Sequence, residues 1–133
     1  MKKILFLSTL LAIVSSSIFS HQRSESYSKI VIDKNQEISD IQIEFSLQTQ
    51  VLQRLDTGYS IDWEREFTKE ILKGFVFNES CLLNSKPFLK NSSSTGYITL
   101  LWKLECALEE ITINFNLFFN KDTSHTHIAT FLI

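Results

Sequence analysis

The three histidines of this chain are its best candidates for metal binding. His125 and His127 lie two residues apart, so on a strand both side chains project from the same face. If the chain is cleaved after Ser20, His21 becomes the first residue and offers its α-amino group and its imidazole to one ion, a chelate that suits nickel or copper. The three form one site only if the first and last strands are neighbours. The alternative is that His21 is a frayed terminus and the other two face solvent or cap an element.

Cys81 and Cys106 are the only cysteines and are predicted to form a disulfide. A cysteine pair in an oxidising compartment is expected to bridge rather than to remain as thiols. Closing a loop of about 25 residues stabilises a domain by on the order of 3 kcal/mol. The alternative is a two-thiolate metal site, which lacks a C-x-x-C pair or histidines nearby in the sequence.

The side chains that support catalysis in enzymes form no convincing group here. The serines lack the flanking glycines of a nucleophile elbow. The carboxylates between Asp62 and Glu70 alternate with cationic residues, as on a solvated helix face. The pair Glu109 and Glu110 fits a turn better than an acid and base pair. We therefore expect no enzymatic activity.

The first twenty residues have the three parts of a secretory signal. Two lysines are followed by the apolar run Ile4–Val14 and by serines up to Ser20, which is the order of a basic region, an apolar region and a cleavage region. The apolar run is shorter than the about 20 residues that span a bilayer. We therefore expect 1–20 to be a signal peptide and 21–133 to be one extracytoplasmic domain of an exported protein, periplasmic or extracellular. The alternative is an uncleaved N-terminal anchor.

The charge of the chain after cleavage argues against one class of partner. Removing two of the 13 basic residues leaves 11 against 15 acidic residues, a net charge near −4. Binding to nucleic acid requires clustered lysine and arginine side chains that replace counterions. We therefore expect no nucleic-acid partner, and no second apolar stretch predicts a membrane-spanning segment in the mature chain.

Alternation of apolar and polar residues is the dominant pattern after the signal. Ile41, Ile43 and Phe45 alternate with Gln42 and Glu44, which is typical of a strand with one buried face. Six strands are predicted in this way: Ser28–Asp33, Ile41–Gln48, Cys81–Phe88, Tyr97–Cys106, Ile111–Phe119 and Thr126–Ile133. Strands of this kind favour an antiparallel sandwich or a curled sheet.

One segment follows a helical period instead. Trp63, Phe67, Ile71 and Phe75 lie four residues apart, which predicts an amphipathic helix from Ile61 to about Phe77. Ser60 is the expected N-cap. Together the patterns predict an α+β, mainly antiparallel β fold, a β-sandwich-like sheet with one packed amphipathic helix.

The order of several segments resembles a known family. These segments are Ser20–Tyr27 ahead of a strand, Ile61–Glu64 in the amphipathic region, Cys81 before a short strand, Gly96–Tyr97 opening the strand that ends at Cys106, and Phe118–His125. Together they are similar to the extracytoplasmic region of HupE/UreJ-type membrane proteins, over nearly the whole chain after the signal.

This resemblance implies a role beside a membrane protein. Members of the family are associated with nickel or cobalt uptake, as accessories to hydrogenase and urease, and carry several transmembrane helices. The family's membrane helices would follow Ile133, so the residues of a permease are absent from this sequence and transport by the chain itself is not implied. We expect an extracytoplasmic accessory or sensor domain, linked to nickel, cobalt or copper handling or to a membrane-protein partner. The alternative is a non-enzymatic interaction domain without a metal.

Overall fold

A computed structural model of the chain describes residues 24–54, 61–92, 96–117 and 124–133. The predicted signal peptide, 1–20, and His21 lie outside these residues. Two helices and eight strands occur in the described part. In chain order they are β1 Glu25–Lys34, β2 Ile38–Gln48, α1 Thr49–Arg54, α2 Trp63–Gly74, β3 Phe75–Phe77, β4 Leu82–Leu83, β5 Phe88–Ser92, β6 Tyr97–Ala107, β7 Ile113–Phe115 and β8 Thr126–Leu132. The prediction of an α+β, mainly antiparallel β fold is confirmed.

The main sheet has the strand order β4–β6–β2–β1–β8, and β5 pairs with β6 beside β4. Ile43 lies opposite both Ile30 of β1 and Trp102 of β6, so the apolar residues of three strands share one face. The terminal strand β8 pairs with β1 in parallel, and all other pairs are antiparallel. The first and last strands of the described chain are therefore neighbours.

The buried face of the sheet is covered by α2 and by a second, two-stranded sheet of β3 and β7. Helix α2 buries Phe67 and Ile71, as its four-residue spacing predicts. Phe75 of β3 packs edge-on against Trp102 of the main sheet, with ring centroids 5.1 Å apart. The main core therefore lies on one side of the sheet.

Helix α2 is shorter than the sequence predicts. It ends at Gly74, and Phe75–Phe77 form β3, which pairs with β7. A Cβ atom on Gly74 would lie 2.5 Å from Leu117 Cδ2 and 3.1 Å from the Asn116 backbone oxygen, so a larger residue at the end of α2 would force the buried Leu117 side chain to shift. Phe75 thus contributes to the core from a strand rather than from a fourth helical turn. Asp62 occupies the N-cap position, and Ser60 lies outside the described residues.

Three other elements differ from the sequence prediction. The predicted strand Cys81–Phe88 is two short strands, β4 and β5, because Pro87 lacks an N–H group for continuous pairing. The predicted strand Ile111–Phe119 is reduced to β7 among the residues described. Helix α1 follows β2 directly and has no strong periodic signal in its six residues.

The predicted disulfide is present. The sulfur atoms of Cys81 and Cys106 are 2.06 Å apart, and the bond joins the start of β4 to the buried face of β6. A stable disulfide is typical of an oxidising compartment, which agrees with export, while export itself stays a prediction. Within the described ranges, no helix has the length and apolar character needed to cross a membrane.

Candidate functional site: a serine–histidine ladder

A row of five polar side chains joins β1 to the segment that enters β8. Ser24, Ser26 and Ser28 are spaced two apart, so their side chains project from the same face of the chain. Parallel pairing places Ser26 opposite His127, and this aligns His125 with the serines as well. The row lies on the buried side of the sheet, where Ser26 is 0% exposed and His125 is 5% exposed.

Four hydrogen bonds connect the row into a continuous chain. His125 Nδ1 lies 2.6 Å from Ser24 Oγ, and its Nε2 lies 2.8 Å from Ser26 Oγ. His127 Nδ1 lies 2.7 Å from the same Ser26 Oγ, and its Nε2 lies 2.9 Å from Ser28 Oγ. All four ring nitrogens therefore bond to serine hydroxyls. We call these five residues the serine–histidine ladder.

The ladder couples the protonation of its two rings. A neutral imidazole has one nitrogen that donates and one that accepts, whereas a hydroxyl has a single hydrogen. Ser26 can therefore donate to only one of the two rings, although its oxygen can accept from both. When both rings are neutral, at least one of them must carry its hydrogen on the nitrogen that faces Ser26, which is Nε2 of His125 or Nδ1 of His127. Hydrogen on Nδ1 of His125 together with hydrogen on Nε2 of His127 would leave one of the four bonds unformed.

Aromatic side chains surround the ring of His127 in the ladder. The ring of His127 lies 4.9 Å from that of Phe115, 5.8 Å from Phe75 and 5.9 Å from Phe45, between centroids. Burial lowers the pKa of His127 to about 4, with a smaller contribution in the same direction from the neighbouring His125. His127 is therefore neutral near pH 7, and the three neighbouring phenylalanine rings favour the neutral state.

The structure brings together two of the three histidines predicted to bind metal. His125 and His127 share one face, and the first and last strands are neighbours, as a shared site would require. The alternative that His125 faces solvent is wrong, because it is buried and bonded to two serines. His21 lies outside the described residues, so the three-histidine site stays a prediction. A metal ion would have to displace a serine from a ring nitrogen.

The described residues show no group of three or more histidine, cysteine, aspartate or glutamate side chains placed to hold a metal ion. Sequence reasoning also missed the serines of the ladder. Their signal is the spacing of Ser24, Ser26 and Ser28, which matches the two-residue spacing of the histidines. That spacing shows which side chains share a face, but it does not show which strand lies opposite.

Serine and histidine are also the components of nucleophilic catalytic sites. In the ladder, however, the serine hydroxyls belong to residues that are at most 4% exposed. A substrate has no access to these oxygens on the buried face of the sheet. The ladder is therefore suited to holding β8 against β1 rather than to attacking a substrate.

The other face of the main sheet is not covered by any described element. Several large apolar side chains are exposed on it, including Phe88 at 63% and Leu82 at 70%. Phe88 lies opposite Leu101, whose side chain is half-buried. Exposed apolar side chains that lie side by side on such a face are typical of a contact surface for another molecule.

Comparison with known proteins adds no assignment. No protein-family model matches the chain, and no curated protein is similar to it. The resemblance to the extracytoplasmic region of HupE/UreJ-type proteins therefore stays a prediction from the sequence motifs. The fold and its site define a small α+β domain with one packed and one uncovered sheet face.

Proposed function

We propose that this chain is an extracytoplasmic accessory or sensor domain that acts by binding a partner protein, without catalysis of its own. The observation that carries the proposal is the uncovered sheet face with its exposed apolar side chains, Phe88 and Leu82 among them. The disulfide supports an oxidising location, and the motif resemblance favours a membrane protein as the partner.

Handling of nickel, cobalt or copper is a second candidate within the same accessory role. It is favoured by the adjacent positions of His125 and His127 and by the position of Ser24, the third residue after His21 in the sequence. Imidazole nitrogen is a suitable ligand for nickel and copper. The serine bonds oppose this candidate, because each ring nitrogen already has a partner.

Photocrosslinking tests the proposed role in the organism that encodes the chain. The full chain, with its N-terminal segment, would carry benzoylphenylalanine at position 88, 82 or 128 on the uncovered face. A matched control would carry it at position 34, an exposed site at the end of β1 that lines neither cavity beside β5. We expect one identified protein in adducts from the uncovered face and none from position 34. The absence of adducts from every uncovered position would contradict the proposal.

Isothermal titration of nickel, and then of copper, tests the metal candidate on the processed chain that begins at His21. If the ladder binds metal, His125→Ala weakens binding, whereas Ser26→Ala does not, because it frees a nitrogen on each ring. If neither metal binds the wild-type chain, the metal candidate is wrong and the partner-binding role is unaffected.

A further inference from the structure

Strand β5 lies between two cavities at the edge of the main sheet. One cavity, of about 240 Å³, opens on the uncovered face beside Leu101 and Lys103. The other, of about 960 Å³, lies between β5 and helix α2, beside Leu72 and Lys69. Phe88 and Lys86 line both. We call this continuous surface the β5 groove.

The β5 groove is positively charged, although the whole chain has a net charge of −2. Five cationic side chains and two carboxylates line it: Lys29, Arg65, Lys69, Lys86 and Lys103 against Glu44 and Glu64. Arg65 pairs with Asp62 at 3.4 Å. None of the four lysines forms an ion pair with another described residue. Their charges are therefore available to an anionic ligand.

The groove also contains a strand edge and apolar side chains. β5 pairs with β6 from Phe88 opposite Leu101 to Ser92 opposite Tyr97, and no described strand pairs with its other edge. Backbone N–H and C=O groups on a free edge can pair with another strand. Phe88 is 63% exposed, and Leu72 and Leu89 are half-buried in the wall of the larger cavity.

We infer that the β5 groove binds an extended, acidic segment of the partner protein, which adds a strand to the free edge of β5. This inference rests on the proposed function and names the surface and the chemistry of the partner. Strand addition gives affinity through main-chain hydrogen bonds, and side chains on alternate sides give specificity. Carboxylates on one side of the segment would meet Lys86 and Lys103. Apolar residues on its other side would contact Leu72 and Phe88 in the larger cavity.

The binding test uses a defined probe. A fluorescein-labelled nine-residue peptide of alternating valine and glutamate is titrated with the processed chain, and binding is followed by fluorescence anisotropy. We expect saturable binding that weakens with added salt. A peptide with lysine in place of glutamate is expected not to bind. Two further peptides carry N-methyl groups on opposite edges, and the one methylated on the edge that meets β5 loses the pairing N–H donors, so it should bind at least about tenfold more weakly.

Charge reversal locates the site on the protein. Lys86→Glu and Lys103→Glu should each weaken binding of the glutamate peptide by about tenfold. Phe88→Ala should weaken it through loss of apolar contact. Lys34→Glu is the matched control, because Lys34 is exposed at the end of β1 and lines neither cavity. The affinity of the Lys34→Glu variant for the glutamate peptide should equal that of the wild-type chain.

Each contrary result overturns a defined part of the inference. Unweakened binding of both N-methylated peptides excludes strand addition, and equal weakening by Lys34→Glu excludes the groove as the site. Binding to vesicles of anionic phospholipid without binding to the peptide would replace the protein segment with a lipid surface. Photocrosslinks from positions 82 and 128 but not from position 88 would reject the groove and retain the proposed function.

Discussion

At the scale of single residues, Ser26 is the centre of the ladder, because its one hydroxyl bonds to both imidazoles. Ser26→Ala leaves one nitrogen of each imidazole without the Ser26 hydroxyl as its partner. An unsatisfied buried polar group costs about 1–3 kcal/mol. We expect the free energy of unfolding, measured in urea, to fall by about 2 kcal/mol or more.

Ser46→Ala is the matched control for that measurement. Ser46 also lies on a strand and bonds to one hydroxyl, that of Thr99, at 3.0 Å, but on the other face of the sheet. Removing this less buried bond should cost about 1 kcal/mol or less. Equal losses of unfolding free energy in the two variants would show that the ladder stabilises the fold no more than an ordinary hydrogen bond between two hydroxyls.

The coupled tautomers of the ladder are directly measurable. Because Ser26 donates to only one ring, neutral His125 and His127 should not carry hydrogen on Nδ1 of His125 and on Nε2 of His127 at the same time. The ¹⁵N chemical shifts of the ring nitrogens distinguish these states. That combination of tautomers would mean that one of the four hydrogen bonds is not formed.

His127 should make the fold sensitive to acid. Its pKa falls from the ordinary 6.5 to about 4 in the folded chain, mainly through burial. Between these values the unfolded state binds more protons than the folded state, so stability is lost as pH falls from about 6.5 towards 4. Above about 6.5 this contribution to stability is complete.

Urea unfolding at pH 7, 5 and 4 measures this loss. His127→Gln keeps hydrogen-bonding groups but does not titrate, so the difference between the wild-type chain and the variant isolates the histidine from the carboxylates. We expect the wild-type chain to lose more stability than the variant across this window. Parallel pH profiles would contradict the expected role of His127.

At the scale of elements, the uncovered face contains a row of like charges. Asp40 of β2 lies directly opposite Asp33 of β1 and Glu105 of β6. Like charges opposite each other across strands destabilise a sheet by a few tenths to about 1 kcal/mol. Asp40→Thr should therefore raise the free energy of unfolding by about 0.5–1 kcal/mol, with a smaller gain at high salt.

Glu44→Thr is the control on the same strand and face. Glu44 lies opposite Lys29 and Leu101 rather than opposite carboxylates, so its removal should give no stabilisation. A gain in both variants of equal size would indicate that threonine simply suits these strand positions better than an acidic residue.

At the scale of the whole molecule, the disulfide restricts the unfolded chain. Cys81 and Cys106 are 25 residues apart, and a bridge over a loop of this length contributes on the order of 3 kcal/mol in the chain-entropy estimate. The double variant Cys81→Ala, Cys106→Ala should lose about that much in urea unfolding. A loss below about 1 kcal/mol would show that packing of β4 and β6 alone holds this edge.

The proposed partner-binding role concerns one face of the sheet. One face holds the core, the ladder and the covering elements, whereas the other leaves apolar side chains and the cations Lys29, Lys86 and Lys103 accessible. Substitutions on the buried face are therefore expected to act through folding. Those at Lys86 and Lys103, which are exposed, are expected to act through binding.

Much of the fold was predictable from local patterns. The alternation in Ile41–Leu47 and Ile98–Cys106 indicates strands and their buried faces, since side chains of a strand alternate with a period of two. The spacing of Phe67 and Ile71 predicts the buried side of a helix for the same kind of reason. The disulfide was predictable because the chain has only two cysteines and its first residues predict export to an oxidising compartment.

The pairing of β1 with β8 and the serine–histidine ladder were decided only by the tertiary structure. The bonded serines and histidines are 99 or 101 residues apart, and no local period specifies which strand lies beside β1. The same holds for the end of α2, where pairing of β3 with β7 and the close approach of Leu117 to Gly74 outweigh helical periodicity. Local sequence determined the strands, the helical stripe and their faces; long-range packing decided their neighbours, because pairing energy depends on residues distant in the chain.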